Sequence, residues 1–460
     1  MTPKIAIVGG GSTHWTPRLL ADFANTASLR DCAVALTDID EASLAPMLTI
    51  AKHIVTSRRI GMDVSATTDL SAALDGADFV IIALSVGGFA SMAHDLDIPA
   101  RYGIWQPVGD SVGPGGIARA LRSIPVVMRI AKEVERCAPD ATMLNVSNPL
   151  TALCRAASSQ TSVRTIGLCN ELVGLQFWLS LVFDADMREI DPVVAGVNHL
   201  PLVTSLRIGG EDGFAMLRNV LDHPQLLVGQ PVWMTPPAAS HWRRADPSRD
   251  WTKADIVANN RVKLEVFRHL GVLPGSADTH VAEFFPWFVT AASDQGRAWG
   301  VHHYGLAGHT QDKVDDGVWA AELEAGGEIP RWSSGELVAP LLDGIVTGKA
   351  RSLPVNLPNT GQVTDLPTGV VVECMGTVDG DGVRPRDTAS AGAGAEHLRR
   401  VVASQELTVE AALTGDRSLV LQAMLADPVA GTLPLEHALA MTDELLVASA
   451  PWLPQFSPAA

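Results

Sequence analysis

Three groups of residues in this 460-residue chain have types and spacings that could do chemistry. The first is Gly9-Gly10-Gly11-Ser12, which follows the β-branched run Ile5–Val8 and leads into a segment with helical spacing. Gly9 permits a tight turn and Gly11 lets the backbone approach a pyrophosphate. The helix beginning at Ser12 then offers free N–H groups and a positive dipole end. His14 stands where a third glycine would complete GxGxxG. Asp38 closes the second apolar run, where a carboxylate can accept from a ribose hydroxyl pair and favours NAD over NADP. A glycine turn that binds nothing is the competing reading. The second group is Cys169 and His199, each ending a strand-like run, where ligand sites gather in open α/β folds. A thiolate and an imidazole suit a divalent transition ion; taken alone, a buried cysteine and a satisfied core histidine are commoner. The third is acidic: Asp110 inside a glycine-rich segment, and Asp278 two residues before His280.

The elements that must hold these residues alternate. Strand-like runs at Ala33–Leu36, Phe79–Leu84, Met143–Val146, Thr165–Leu168 and Val193–Val197 are separated by helical spacing at Ser12–Asn25, Glu41–Arg59 and Gly116–Cys137. This alternation predicts an α/β fold: a Rossmann-type doubly wound parallel sheet over residues 1–195. From 196 to 460 a second, mixed α+β domain is expected. It has a strand at Leu202–Ile208, helices at Asp255–Leu270, His280–Ala292, Gly335–Gly348 and His397–Leu425, and a loop at Asp379–Gly394. Trp233, Trp242 and Trp251 could line a pocket or an interface, though core packing is the commoner role.

Composition narrows the partners. With 47% hydrophobic residues and 18% charged, the chain is not of disordered type. Lys and Arg total 34 against 51 Asp and Glu, a net charge of −17, which argues against nucleic acid and anionic membranes. The apolar stretch from Phe79 to Val86 is far short of the roughly 18 residues a membrane span needs. The N-terminal run does not read as a signal peptide. Five scattered cysteines without CxxC read as reduced thiols. A cytoplasmic location is expected.

Several segments together resemble glycoside hydrolase family 4. They are Gln106–Gly116 (QPVGDSVGPGG), Asn145-Val-Ser-Asn148-Pro149, Gly167-Leu-Cys169-Asn170-Glu171 and Gly196-Val-Asn198-His199. Leu273–His280, Glu283–Trp287 and Val355–Asn359 continue the order, so the match runs to about residue 385. NAD-dependent members of this family are exceptions to two-carboxylate glycoside hydrolysis. The resemblance implies NAD, a divalent metal (usually Mn2+), and a homo-oligomer, dimer or tetramer. It implies a redox-assisted elimination: NAD takes hydride from C3 of the sugar, a base removes the acidified C2 proton, the C1–oxygen bond breaks, water adds, and the hydride returns. By the same resemblance Cys169 and His199 bind the metal, and Asn148 and His280 meet the substrate. Asn145 touches the nicotinamide end, Asp278 is the base, and Asp110 protonates the leaving oxygen or helps bind metal.

Two departures bear on the substrate. Phosphosugar enzymes of the family use a tyrosine base in the second domain, but neither Tyr102 nor Tyr304 lies in the stretch that matches that tyrosine's position. Those enzymes also carry proline where this chain has Leu172. The Asp278 segment is more similar to enzymes of unphosphorylated α-glycosides, including α-galacturonidases. Thr279 replaces the arginine those commonly place after the aspartate, a natural uronate partner. Neutral hexosides and hexuronides both stay open, with Arg18, Arg297 and His14 as other candidate cations. A 6-phospho-glycosidase, a malate- or lactate-type dehydrogenase and a non-catalytic sugar or NAD sensor are the alternatives.

Overall fold

Unbroken apolar runs in the first 170 residues become parallel strands, because a strand covered on both faces buries such a run completely. In the computed structural model, which describes residues 2–232, 251–331 and 333–456, these are β1 (Lys4–Val8), β2 (Ala33–Thr37), β3 (Asp63–Thr67), β4 (Phe79–Ile82), β5 (Thr142–Asn145) and β6 (Arg164–Gly167). They pair in the order β3-β2-β1-β4-β5-β6, all parallel. This is the doubly wound order of dinucleotide-binding sheets. β3 has no apolar run to announce it, because it is an edge strand with no buried residue.

The second half extends the same sheet. It adds β7 (Ile190–Val197), β8 (Leu200–Ile208), β9 (Glu211–Asp212), β10 (Leu273–Pro274), β11 (Arg351–Pro358), β12 (Val371–Asp379) and β13 (Gly382–Pro385). Beyond β6 the order is β11-β12-β7-β8-β10, antiparallel throughout. The run Val193–Val197 therefore differs from expectation: it is antiparallel, separated from β6 by β11 and β12, and turns back into β8 through Asn198-His199. The division expected between residues 195 and 196 falls inside β7. The two halves of the sheet meet on one row, in which Gly167 pairs with Asn356, Asn356 with Glu373, and Glu373 with Gly196.

Most helices lie where their spacing predicts, with boundaries set by local chemistry. Asp255–Leu270 is two helices, Lys253–Ala258 and Arg261–Leu270, separated at Asn259-Asn260. His397–Leu425 is likewise broken at Gly415 (φ 73°), beyond which Asp416 caps the second helix. The helix expected at His280–Ala292 instead runs Asp278–Phe284, because Phe285 precedes Pro286 and is extended. Part of the segment expected as a loop, Asp379–Gly394, is β13, which pairs with β12. Trp251 is a buried residue packed among the apolar side chains near Trp178, whereas Trp233 and Trp242 lie outside the described residues.

Helices Ala395–Thr414, Arg417–Ala426 and Leu435–Ser449 fold back onto helix Gly113–Cys137 and share one apolar cluster with β1, β4 and β5. Each fully buried Leu, Ile or Val there contributes about 1.5–3 kcal/mol. This layer also reaches the glycine-rich segment directly. The buried Asp427 accepts from Val429 N (2.9 Å) and Ala430 N (2.8 Å) with one oxygen, and from Gly113 N (3.1 Å) with the other. Asp427→Ala leaves three backbone donors unpaired and is expected to lower stability by about 3 kcal/mol in urea unfolding; an unchanged midpoint would show that this tie carries no load.

Candidate active site

At Gly9 φ is 91°, and a Cβ would lie 1.9 Å from the carbonyl oxygen of Ala83, so only glycine fits. The N–H groups of Gly9 and Gly10 both donate to Thr37 O at 2.9 Å. Gly11 N donates to Asp38 Oδ2 at 3.1 Å, so the carboxylate closes the glycine turn and still faces the cleft. Ser12 Oγ accepts from Trp15 N at 3.1 Å, and the helix begins at Trp15, three residues later than its spacing predicts. Gly9, Gly11, Ser12 and Asp38 all line the cleft. Asn145 does not. It is fully buried, its amide bonded to the backbone O (3.0 Å) and N (3.1 Å) of Ser147. Its structural place is inside the turn that presents Ser147 and Asn148.

That turn brings Asn148 Nδ2 to 2.8 Å from Asp110 Oδ2. The other oxygen of Asp110 accepts from Ser111 Oγ at 2.8 Å, and the same Oγ lies 2.9 Å from His199 Nδ1. The direct Asp110–His199 approach, 3.6 Å, is a charge contact and not a hydrogen bond. The rings of His199 and His280 lie 3.9 Å apart. One ligating atom from each of Asp110, His199 and His280 falls within 4.8 Å of the others. A carboxylate and two imidazoles fit a divalent transition ion. Cys169 lies beside His199 as its charge partner but is not one of the three convergent groups. His199 sits at the tip of the β7–β8 hairpin with φ 65°, a left-handed conformation that costs any residue with a side chain.

The charges are interdependent. Burial opposes ionisation of Asp110, yet the imidazoles of His199 and His280 and the guanidinium of Arg119 hold its carboxyl well below the usual range. Burial likewise opposes the cation of His199, but Cys169 and Asp110 raise it well above an ordinary imidazole. Burial pushes the Cys169 thiol up, and His199 offsets part of that.

Asp278 opens a short helix, but it caps a different one. Its oxygens accept from Val262 N (2.7 Å) and Lys263 N (3.1 Å), in the first turn of helix Arg261–Leu270. Burial raises its carboxyl, only partly countered by the Lys263 ammonium and those two N–H groups. Glu171 accepts from Ala277 N at 2.6 Å and so holds the residue before it. Asp278, Thr279, His280 and Glu171 all line the cleft. Leu172 does not; it is fully buried and packs beneath Gly275 in the loop leading to Asp278. Of the candidate cations, Arg18 (2.7 Å) and His14 (2.6 Å) are held by Asp316, and Arg297 (3.0 Å) by Asp294.

Three residues escape detection from sequence. Ser111 is signalled only by its place next to Asp110. Tyr304, set aside on position, lines the cleft, with its N–H on Pro107 O at 2.9 Å. Glu283 stands about one helical turn after His280, and its Oε1 accepts from Val108 N (2.5 Å) and Gly109 N (2.8 Å), fixing the backbone just before Asp110. Burial raises its carboxyl to about 8.

Fold and cleft together define an α/β protein of nucleotide-binding architecture. The sequence matches the family model "Family 4 glycosyl hydrolase" over residues 4–184 and "Family 4 glycosyl hydrolase C-terminal domain" over residues 194–430. The chain belongs to glycoside hydrolase family 4. It is 30% identical over 478 residues to an alpha-galactosidase of Rhizobium meliloti, covering 99% of this chain and 90% of that protein. It is also 30% identical over 469 residues to an alpha-galacturonidase of Thermoanaerobacterium saccharolyticum, covering 96% and 94%. Among solved structures it is similar to the putative glucosidase LplD of Bacillus subtilis (TM-score 0.85, 26% identity, 97% and 100% covered). A 6-phospho-alpha-glucosidase from gut microorganisms, solved in complex with NAD and Mn2+, shares the fold (TM-score 0.80, 20% identity, 99% and 100% covered).

The raised carboxyl of Glu283 gives a stability signature. From its ordinary value of 4.5 to about 8, the folded protein holds a proton that the unfolded chain has lost. Stability therefore falls as pH rises through that window, by up to about 1.4 kcal/mol per pH unit. Glu283→Gln is expected to flatten this slope in urea unfolding at about pH 5 and about pH 8; parallel slopes for variant and wild type would refute it.

Proposed function

We propose that the protein hydrolyses unphosphorylated α-glycosides, of a neutral hexose or a hexuronic acid, using NAD and a divalent metal, Mn2+ first. The observation that carries this reading is the opening of the Gly9–Asp38 turn and the Asp110–His199–His280 group into one cleft. The two relatives named for galactosides and galacturonides support the substrate class. In this reading His199 and His280, with Cys169 or Asp110, would hold the metal, and the glycine turn with Asp38 would hold the dinucleotide. When bound, NAD supplies reversible hydride acceptance at C3, and the metal supplies Lewis-acid polarisation of the C3 oxygen.

The remaining work falls to the chain's own side chains. Asn148 offers its amide to the sugar hydroxyls near C2 and C3. Asp278 takes the C2 proton, after which the C1–oxygen bond breaks by elimination, the leaving oxygen taking its proton from solvent; water then adds, its hydroxyl to C1 and a proton back to C2. A carboxylate has about four lone-pair sites, of which Val262 N and Lys263 N fill two, leaving room for that proton. Its raised carboxyl makes it a stronger base than a solvated aspartate. Asp110, held well below the usual range, has no proton to give near neutrality, which favours its metal-binding role over that of acid. The protein would work in the cytoplasm as a dimer or tetramer. The exposed Leu435, Leu439 and Val447 on one C-terminal helix supply apolar surface for subunit contact.

The test is cleavage of a panel of α- and β-nitrophenyl hexosides, hexuronides and 6-phosphohexosides, with and without NAD, Mn2+ and chelator. Cleavage of an unphosphorylated α-glycoside that needs both additives, with no net NADH, is expected; NADH accumulating with free sugar would make the protein a dehydrogenase. Asp278→Asn should slow exchange of the C2 proton with deuterium at least about tenfold while NAD affinity stays level. Unchanged exchange would remove Asp278 as base. Because activity needs ionised Asp278 and is lost as pH falls through its raised pKa, the acid limb of kcat/KM should lie above the ordinary carboxylate range.

A further inference from the structure

Ser111 stands between the two groups whose charges dominate the cleft. Its Oγ is 2.8 Å from Asp110 Oδ1 and 2.9 Å from His199 Nδ1. Asp110, Ser111 and His199 are all buried, with Asp110 and His199 at the wall of the cleft. A hydroxyl has one proton, and an ionised carboxylate has none. The Ser111 proton must therefore go to Asp110; turned the other way, Oγ and Oδ1 would face each other at 2.8 Å with lone pairs alone. The second contact is then made by a proton on His199 Nδ1, donated to Ser111 Oγ. Asp110 cannot take that proton directly, because 3.6 Å is too long for a hydrogen bond. On its far side Asp110 is fixed by Asn148 Nδ2 at 2.8 Å. The result is a directed chain from His199 Nδ1 through Ser111 to Asp110, anchored by Asn148.

We propose that Ser111 is a positioning residue that fixes the Nδ1–H form of His199 and presents its Nε2 as the nitrogen that binds the divalent metal. This rests on the metal reading above. A metal needs a nitrogen with a free lone pair, so any second proton on the ring must leave when metal binds; an acceptor placed on Nδ1–H makes Nε2 the nitrogen that gives up its proton and aims the ring. Serine is not a ligand here; it acts through His199.

The measurement is Mn2+ affinity by calorimetry on the full chain with NAD present, for the wild type and for Ser111→Ala, Ser111→Thr and Ser111→Val. Thr and Val are nearly the same shape and differ in the hydroxyl, so the pair separates hydrogen bonding from packing. Ser111→Ala and Ser111→Val are expected to weaken Mn2+ binding about 10–100-fold, with NAD affinity unchanged and Ser111→Thr close to wild type. Should Ser111→Ala fail to fold, the Thr and Val pair alone carries the comparison. Wild-type Mn2+ affinity in the Ala or Val variant, or equal losses in Thr and Val, would overturn the assignment. A wild-type protein that binds no Mn2+ would overturn the metal reading and this inference with it.

Discussion

The site depends on where two strands stop. β6 and β7 approach the row Gly167–Asn356–Glu373–Gly196 from opposite directions, and each makes only one bridge to it. Antiparallel register places β6 toward the Pro358 end of β11 and β7 toward the Val378 end of β12. Both strands therefore end on the same line, and the residues that follow are brought together. Two residues past Gly167 is Cys169, and three past Gly196 is His199. At Gly196 a Cβ would lie 2.2 Å from Leu200 O, so the hairpin can turn this tightly only on glycine. Ligand sites at strand ends are general in open α/β sheets; here an antiparallel extension supplies half of the ends.

Beneath that row the sheet buries Asn356 and Glu373, side chains that an ordinary core would exclude. Burial raises Glu373 to about 7, with the imidazole of His199 pulling the other way and Asn198 Nδ2 reaching it at 3.5 Å. A buried carboxylate is tolerated only where partners offset its desolvation. The same logic holds the glycine-rich segment in place. It has little apolar side chain to pack, so polar groups fix its backbone from outside: Glu283 on Val108 and Gly109, Asp427 on Gly113, and Gln106 Oε1 on Gly115 N at 2.8 Å. Below it the fully buried pair Arg122–Asp95 joins helix Gly113–Cys137 to helix Gly88–Arg101. The loop's conformation is thus determined by residues as far as 314 positions away, the separation of Asp427 from Gly113.

This explains which parts could be seen in the sequence. The parallel half was legible because complete burial writes itself as an unbroken apolar run, as in Phe79–Ile82, and because Gly9 and Asp38 stand at fixed offsets from such runs. Helix Gly305–Glu324 was not legible: only Gly308, Asp316, Ala320 and Leu323 are buried, and of these only Leu323 is large and apolar. Nor was the direction of β7, since periodicity records burial and not polarity of pairing. Asp278 entered as the base that the resemblance implies, but the helix it caps begins at Arg261, and the amides it meets lie 16 and 15 residues earlier, which local spacing cannot show. Asn145 and Leu172 were singled out by their neighbours in a motif. Both are buried supports, one for the Ser147–Asn148 turn and one for the loop before Asp278.

Four carboxyls around the cleft show how one chemical group takes several parts. All are buried, and burial alone would raise every one. Asp110 is lowered because two imidazoles and a guanidinium surround it. Asp278 stays raised because a lysine and two amide dipoles do not fully offset its desolvation. Glu283, near the charge of Asp110, is raised to about 8 although two N–H groups point at it, and Glu373 to about 7. Environments that drive like groups apart in this way leave one carboxyl a stable anion and three that hold their protons to higher pH. Glu283 holds its proton to about 8 and Glu373 to about 7, so burial limits the negative charge these two add near Asp110. His199, His280 and Arg119 all act on Asp110, and it alone of the four is lowered; for the other three burial remains the dominant influence.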